Sequence, residues 1–118
     1  MNQFLWVFVG GGVGSVLRHL VSLGCLQYFQ SHAGLWALGF VNIIGALAAG
    51  IVVTQFHDNA SMKLLLVSGV LGGFTTFSAF SLESYRYIEK GDYGISLMFL
   101  AITLLGSLLG VMLGHKMT

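Results

Sequence analysis

Proline is missing from this chain of 118 residues, and charged residues make up only 8% of it. Soluble domains carry about 25% charged residues, so this chain lacks the polar surface that a soluble domain needs. A single cysteine, Cys25, has no partner for an internal disulfide. The net charge is +1 without any basic run, so nothing indicates a nucleic-acid partner. Without proline, any break inside a helix must come from glycine.

The chain is instead rich in apolar residues, which form 56% of it and give a mean hydropathy of +0.88. A transmembrane helix needs about 20 predominantly apolar residues. Four segments are long enough, at residues 4–29, 35–56, 62–87 and 93–113. The sequence therefore predicts an all-α membrane protein with one transmembrane domain over residues 1–118.

The cations are divided almost equally between the two ends of these spans. Four spans place both termini on one side of the membrane, together with Lys63 and Lys116, whereas Arg86 and Lys90 lie on the other side. The positive-inside rule then favours neither orientation strongly. Either the chain has one weakly determined orientation, or it inserts both ways and permits an antiparallel homodimer.

Glycines recur at helical spacing and predict close helix packing. Gly106, Gly110 and Gly114 lie four residues apart in the fourth span, and Gly10 and Gly14 do the same in the first. Small residues let helix backbones approach one another in lipid. We expect a compact bundle that oligomerises, because four short helices alone bury little volume.

Polar side chains at membrane depth mark candidate functional positions, because they need partners or water there. Asn42 lies inside the second span, and Thr103 and Ser107 share one face of the fourth. Asn42 is either an interhelical hydrogen-bond clamp or a neutral donor to an anion. The two hydroxyls either bond back to the carbonyl four residues earlier or donate to a passing anion.

The third span contains GVLGGFTTFSAF at residues 69–80, which predicts a helix break near its middle. Gly72 and Gly73 each cost about 1 kcal/mol of helix propensity relative to alanine. A break frees carbonyls that can hold a cation, and helix N-termini favour anions. Phe77 and Phe80 are three residues apart, so they share a face, where they either pack or turn positive ring edges toward one path.

Two further charged positions stand apart from these features. Arg18 falls deep in the first span and should reach a water-filled cavity or the far interface, and Glu83 lies in the second half of the third span. The histidines are scattered, and no nucleophile, base or metal-ligand constellation is present. We expect no enzymatic activity.

Three segments resemble the Fluc (CrcB) family of fluoride channels along essentially the whole chain. They are GGGVGSVLRHL at 10–20, GFVNIIGALAAG at 39–50 and GVLGGFTTFSAFSLE at 69–83. The resemblance implies a passive, fluoride-selective channel that exports fluoride across a prokaryotic cytoplasmic membrane. It also implies an antiparallel dual-topology homodimer with two pores and a structural sodium ion at its centre.

The resemblance also implies a role for individual residues. The sodium ion would be held by the backbone carbonyls of Gly72 and Thr75. The fluoride pathway would use the side chains of Asn42, Phe77, Phe80, Thr103 and Ser107, and Arg18 would lie in the aqueous vestibule. One departure is Phe99, since family members often carry a tyrosine there; the outer end of the polar track is therefore expected to differ.

Two other functions fit four short spans. A small dual-topology exporter of drug-like cations needs a membrane-embedded carboxylate for proton coupling, and Glu83 is the only candidate. A structural subunit without transport would explain the glycine faces but not the costly polar residues at mid-membrane.

Overall fold

The computed structural model describes residues 2–29 and 32–117. Four helical stretches in it are long and apolar enough to cross a membrane: Gln3–Tyr28, Ala33–Gln55, Ala60–Glu89 and Tyr93–Lys116. Their ends lie within three residues of those expected from hydropathy. The described residues contain no strand, which confirms the all-α architecture with four spans. Positions 30 and 31 of the expected 30–34 connection, and the chain ends at 1 and 118, lie outside the described residues.

Helices α1 (Gln3–Tyr28), α2 (Ala33–Gln55) and α6 (Tyr93–Lys116) are continuous, whereas the third span is composite. It consists of α3 (Ala60–Lys63), a π-helical segment (Leu64–Leu71), α4 (Gly72–Phe74) and α5 (Phe77–Glu89). A π-helix closes its hydrogen bonds one residue later than an α-helix does, and such segments are frequent at functional sites.

The glycines of the third span are themselves helical. Gly72 has φ −62° and ψ −39°, so this glycine keeps helical geometry despite its low helix propensity. Extended backbone follows instead at Thr75 (φ −89°, ψ 150°) and Thr76 (φ −157°, ψ 127°). The departure from helical geometry thus begins two residues beyond the glycine pair.

The bundle is built from two pairs of helices. The two members of each pair run in the same direction. In the first pair, α1 crosses the first half of the third span through glycines. A Cβ on Gly10 would lie 2.8 Å from Gly69 Cα, and one on Gly14 would lie 2.7 Å from Phe74 N. Backbones this close leave no room for a side chain, as expected for small-residue interfaces in lipid.

The second pair consists of α2 and α6, which also meet through small residues. A Cβ on Gly114 would lie 3.2 Å from Gly50 Cα, and one on Gly110 would lie 3.2 Å from Ile43 O. Near the other end of these helices, Thr103 Oγ1 lies 3.4 Å from the position that a Cβ on Gly39 would take. The glycine face of the fourth span therefore packs on α2.

A small core joins the second pair of helices to α5. It contains five buried apolar residues: Leu35, Leu38, Val41, Phe80 and Phe99. Elsewhere large apolar side chains point outward, as at Leu105 (63% exposed) and Leu108 (61% exposed) on α6. An outer surface of this kind matches a lipid environment.

Candidate functional site

An open groove of about 400 Å³ runs between α2, the third span and α6. Its wall on α2 is smooth because it consists largely of Gly45, Ala46 and Ala49. The groove brings together six of the residues singled out in the sequence: Asn42, Gly72, Thr75, Phe77, Thr103 and Ser107. These residues come from three spans, so the fold brings together side chains that are far apart in the sequence.

Asn42 holds the extended backbone of Thr76 on both sides of the residue. Its Nδ2 donates to Thr76 O at 3.0 Å, and its Oδ1 accepts from Thr76 N at 2.9 Å. The amide group has two N–H donors, so one hydrogen remains available on the groove side. Asn42 therefore has the geometry of an interhelical clamp and still keeps a neutral donor.

The hydroxyls of Thr75 and Thr76 are used locally. Thr75 Oγ1 donates to Leu71 O at 2.8 Å, which is the back-bond typical of membrane helices. Thr76 Oγ1 accepts from Ala79 N at 3.3 Å and so caps the start of α5. Thr76 Oγ1 also lies 3.3 Å from Ser78 Oγ, where either hydroxyl can be the donor.

Thr103 behaves differently from Thr75. It is only 3% exposed, and its Oγ1 has no hydrogen-bond partner among the described residues. The back-bond to the carbonyl four residues earlier is thus not made at Thr103, although Thr75 makes it. Ser107 follows one turn later on the same helix face and is half-buried. The Thr103 hydroxyl is thus buried beside Gly39, with a hydrogen that no described group accepts.

The two phenylalanines occupy different environments. Their ring centroids are 6.5 Å apart and their planes differ by 29°. Phe77 is 55% exposed and lines the groove, whereas Phe80 is fully buried in the core. The shared helix face therefore does not give the two rings equal access to the groove.

Arg18 and Glu83 both lie outside the groove lining. Arg18 is half-buried on α1, and no carboxylate pairs with it within residues 2–29 and 32–117. Glu83 Oε1 accepts from Arg86 Nη1 at 2.8 Å. Its Oε2 lies 2.9 Å from where a Cβ on Gly34 would be, at the first turn of α2. Glu83 is thus an ion-paired carboxylate in the middle of α5 that does not line the groove.

The sequence profile of a known family matches residues 5–115 and carries the description "CrcB-like protein, Camphor Resistance (CrcB)". The chain belongs to this CrcB-like family. The chain is 38% identical over 121 residues to the "Fluoride-specific ion channel FluC" of Phocaeicola vulgatus, covering 100% of this chain and 99% of the relative. The protein of the same name from Beijerinckia indica is 37% identical over 124 residues, covering 100% and 97%. That of Rhizobium etli is 42% identical over 96 residues, covering 78% and 76%.

Membership in the CrcB-like family agrees with the groove and with the four spans. The chain is a multi-pass cell-membrane protein and not an enzyme, as expected from the sequence. Within the described part of the chain, no group of three histidine, cysteine or acidic side chains could bind a metal.

One polar pair was not anticipated from the sequence. His32 Nδ1 and Tyr87 Oη lie 2.9 Å apart, and the His32 ring lies 6.4 Å from the ring of Phe99. Tyr87 follows the buried Phe80 by seven residues, so the spacing places it on the same face of α5. That spacing could have revealed Tyr87, but nothing in the sequence connects it to His32.

Proposed function

We propose that this CrcB-like protein is a passive, fluoride-selective channel that exports fluoride across the prokaryotic cytoplasmic membrane. The proposal is supported by full-length relatives that carry the name fluoride-specific ion channel. The observation that carries it here is the buried and unpaired hydroxyl of Thr103 at the wall of a groove that also contains Asn42.

Fluoride is small and strongly hydrated, so a pathway must replace its water with close donors. The second amide hydrogen of Asn42 and the hydroxyls of Thr103 and Ser107 are neutral donors along one groove. The exposed Phe77 adds a weakly positive ring edge without a full charge. Conduction requires binding that is adequate yet weak enough for release, and neutral donors meet this requirement better than a cationic side chain would.

The open groove and the exposed Phe77 support a second copy of the chain as the missing wall. We propose an antiparallel dual-topology homodimer with two fluoride pathways, one on each side of the crossing third spans. Phe80 would then contribute from within the subunit core by fixing the orientation of Phe77. Arg18 would lie in the aqueous vestibule and attract anions toward the groove.

The extended residues Thr75 and Thr76 form, in this proposal, the functional break in the third span. A regular helix would direct Thr76 N–H to Gly72 O and Ala79 N–H to Thr75 O. The first donor bonds to Asn42 instead, and the second bonds to Thr76 Oγ1. The carbonyls of Gly72 and Thr75 thus fit a sodium site, at which the ion would supply positive charge between two subunits.

Fluoride efflux from liposomes that contain the purified protein tests the proposal, with a fluoride electrode as detector and chloride efflux as the control. We expect fast fluoride release and no chloride release, and we expect Phe77→Ile to abolish the flux while the dimer persists. A folded wild-type protein that releases no fluoride would refute the channel. Flux that requires a proton gradient would point to the coupled exporter and to Glu83.

A further inference from the structure

Asn42 forms hydrogen bonds to the backbone of the third span at Thr76. The backbone N–H and C=O of Thr76 both bond to the side-chain amide of Asn42, at 2.9 Å and 3.0 Å. Thr76 has the extended dihedral angles of a β-strand, and the amide of Asn42 takes the place of the neighbouring strand. These bonds do not involve the side chain of Thr76, so a substitution at residue 42 removes them without changing residue 76.

These two bonds compete directly with helix formation. If Asn42 released Thr76, the freed N–H could close onto Gly72 O and continue α4 by one residue. In lipid an unpaired backbone group costs several kcal/mol, so the freed groups would be driven to find such a partner. Asn42 therefore keeps the Gly72 carbonyl out of the helical hydrogen-bond ladder.

The position of Asn42 is itself fixed by the packing of α2 on the same segment. Gly45, one turn after Asn42, contacts the methyl group of Thr75 so closely that a Cβ there would overlap Thr75 Cγ2. On the side of the third span, Thr76 Oγ1 caps α5 and diverts the Ala79 N–H. The extended segment is thus held by the Asn42 amide and, independently, by the Thr76 Oγ1 cap. Of the two, the Asn42 amide is the one that keeps the Thr76 N–H away from Gly72 O.

We propose that Asn42 is a positioning residue that holds the third span open at Thr76 and thereby sets the cation affinity of the Gly72 carbonyl. This inference rests on the proposed sodium site and deepens it. It gives Asn42 a task that is separate from donating a hydrogen bond to fluoride. Loss of Asn42 should therefore weaken the response to sodium even when no fluoride is present.

The experiment measures the sodium dependence of thermal unfolding and of the dimer fraction in detergent, in fluoride-free buffer with N-methylglucamine as the replacement cation. The variants are Asn42→Ala and Thr103→Val, the second of which removes a groove donor without touching Thr76. We expect Asn42→Ala to raise the sodium concentration for half-maximal stabilisation about tenfold, since two hydrogen bonds are lost. We expect Thr103→Val to leave that midpoint within about twofold of the wild type.

Three outcomes would overturn the inference. The first is an unchanged sodium midpoint in Asn42→Ala with fluoride flux lost, which would leave Asn42 as an anion contact only. The second is an equal shift in Thr103→Val. The third is a wild-type protein that does not respond to sodium; if it still conducts fluoride, the cation site fails while the channel stands. A sodium shift in a protein without fluoride flux would instead support the inference and refute the channel.

Asn42→Ser, which can bond only one side of Thr76, serves if Asn42→Ala does not fold, and we expect an intermediate midpoint. Hydrogen exchange on the wild type needs no variant at all. We expect the Thr76 amide to exchange slowly in sodium-free buffer, because Asn42 Oδ1 holds it. Exchange as fast as that of the exposed residues 57 and 58 would contradict the clamp.

Discussion

Thr75 and Thr103 line the same groove but use their hydroxyls in opposite ways. Thr75 donates to the carbonyl of Leu71 at 2.8 Å, whereas the Thr103 hydroxyl is buried without a partner among the described residues. An unsatisfied buried hydroxyl costs about 1–3 kcal/mol, a cost that conduction by the groove would explain. The sequence marks both residues as polar at membrane depth, but only the structure separates the satisfied threonine from the unsatisfied one.

Phe77 and Phe80 differ in exposure by more than half of a side chain, which separates their effects on stability. We expect Phe80→Ile to lower the free energy of unfolding by about 1–3 kcal/mol, because the core must repack around a different shape. Phe77→Ile should lower it by less than Phe80→Ile does, because Phe77 is 55% exposed in the single chain, while still abolishing flux. Unfolding monitored by near-UV circular dichroism in detergent distinguishes the two variants, and equal destabilisation would contradict the assigned burial.

Asn42 illustrates the limit of inference from spacing. Its place in the second span and the small residues that follow it predict that it faces another helix, which it does. The atom it would contact, a backbone group 34 residues away in the chain, has no signature in the sequence, since backbone groups are the same at every position. For the same reason the sequence could not show that the Asn42 amide pairs with both backbone groups of Thr76.

Among the helices, the ends of the spans were predictable and the irregularity of the third span was less so. Hydropathy and length place each end within three residues, because the bilayer fixes how much apolar chain is needed. The extended segment falls at Thr75 and Thr76 rather than at Gly72 and Gly73. Helix propensity predicts the break at the glycines, but Gly73 packs closely on Gly11 and its turn remains helical. The extended backbone occurs instead at Thr76, which bonds to the amide of Asn42.

The crossing of α1 with the third span gives a prediction with an internal control. A Cβ on Gly14 would overlap Val70 O and lie 2.7 Å from Phe74 N, whereas one on Gly12 would have nothing within 4 Å. We expect Gly14→Ala to destabilise the protein by about 1–3 kcal/mol, because the two backbones must separate. Gly12→Ala should be neutral or stabilising by up to about 1 kcal/mol through helix propensity.

Thermal midpoints from size-exclusion chromatography after heating compare these two variants under the same conditions. Similar midpoints would show that the close approach of α1 to the third span is absent in the folded protein. A lower midpoint for Gly14→Ala alone would localise the effect to the helix crossing, because both substitutions add one methyl group to the same helix.

The described part of the chain measures 48 × 28 × 23 Å, so its long axis matches a bilayer with its headgroup regions, about 40–45 Å. The bond between Thr54 Oγ1 and His115 Nδ1, at 2.8 Å, joins the C-terminal ends of α2 and α6. The pair of His32 and Tyr87 lies at the opposite end. Lys63 and Lys116 therefore share one end, and Arg86 and Lys90 share the other, as the alternating spans predict.

This even division of cations leads to a labelling prediction. In a Cys25→Ala background, a Ser61→Cys variant places one exposed thiol near the start of the third span. If the chain inserts both ways, a membrane-impermeant maleimide should label about half of these thiols in intact cells, since neither orientation is favoured by charge. Labelling after solubilisation gives the total, and complete labelling or none in intact cells would establish a single orientation.

The pairing of α1 with the third span, and of α2 with α6, constrains how the protein can be made. Neighbouring spans along the chain also pack on each other, but the closest pairs are α1 with the third span and α2 with α6. The glycine face of α1 has no partner until the third span has been synthesised, and the small-residue face of α2 has none until α6 has been synthesised. A chain truncated before α6 would therefore present an unpaired face to the membrane, where quality-control proteases could distinguish it from a finished subunit.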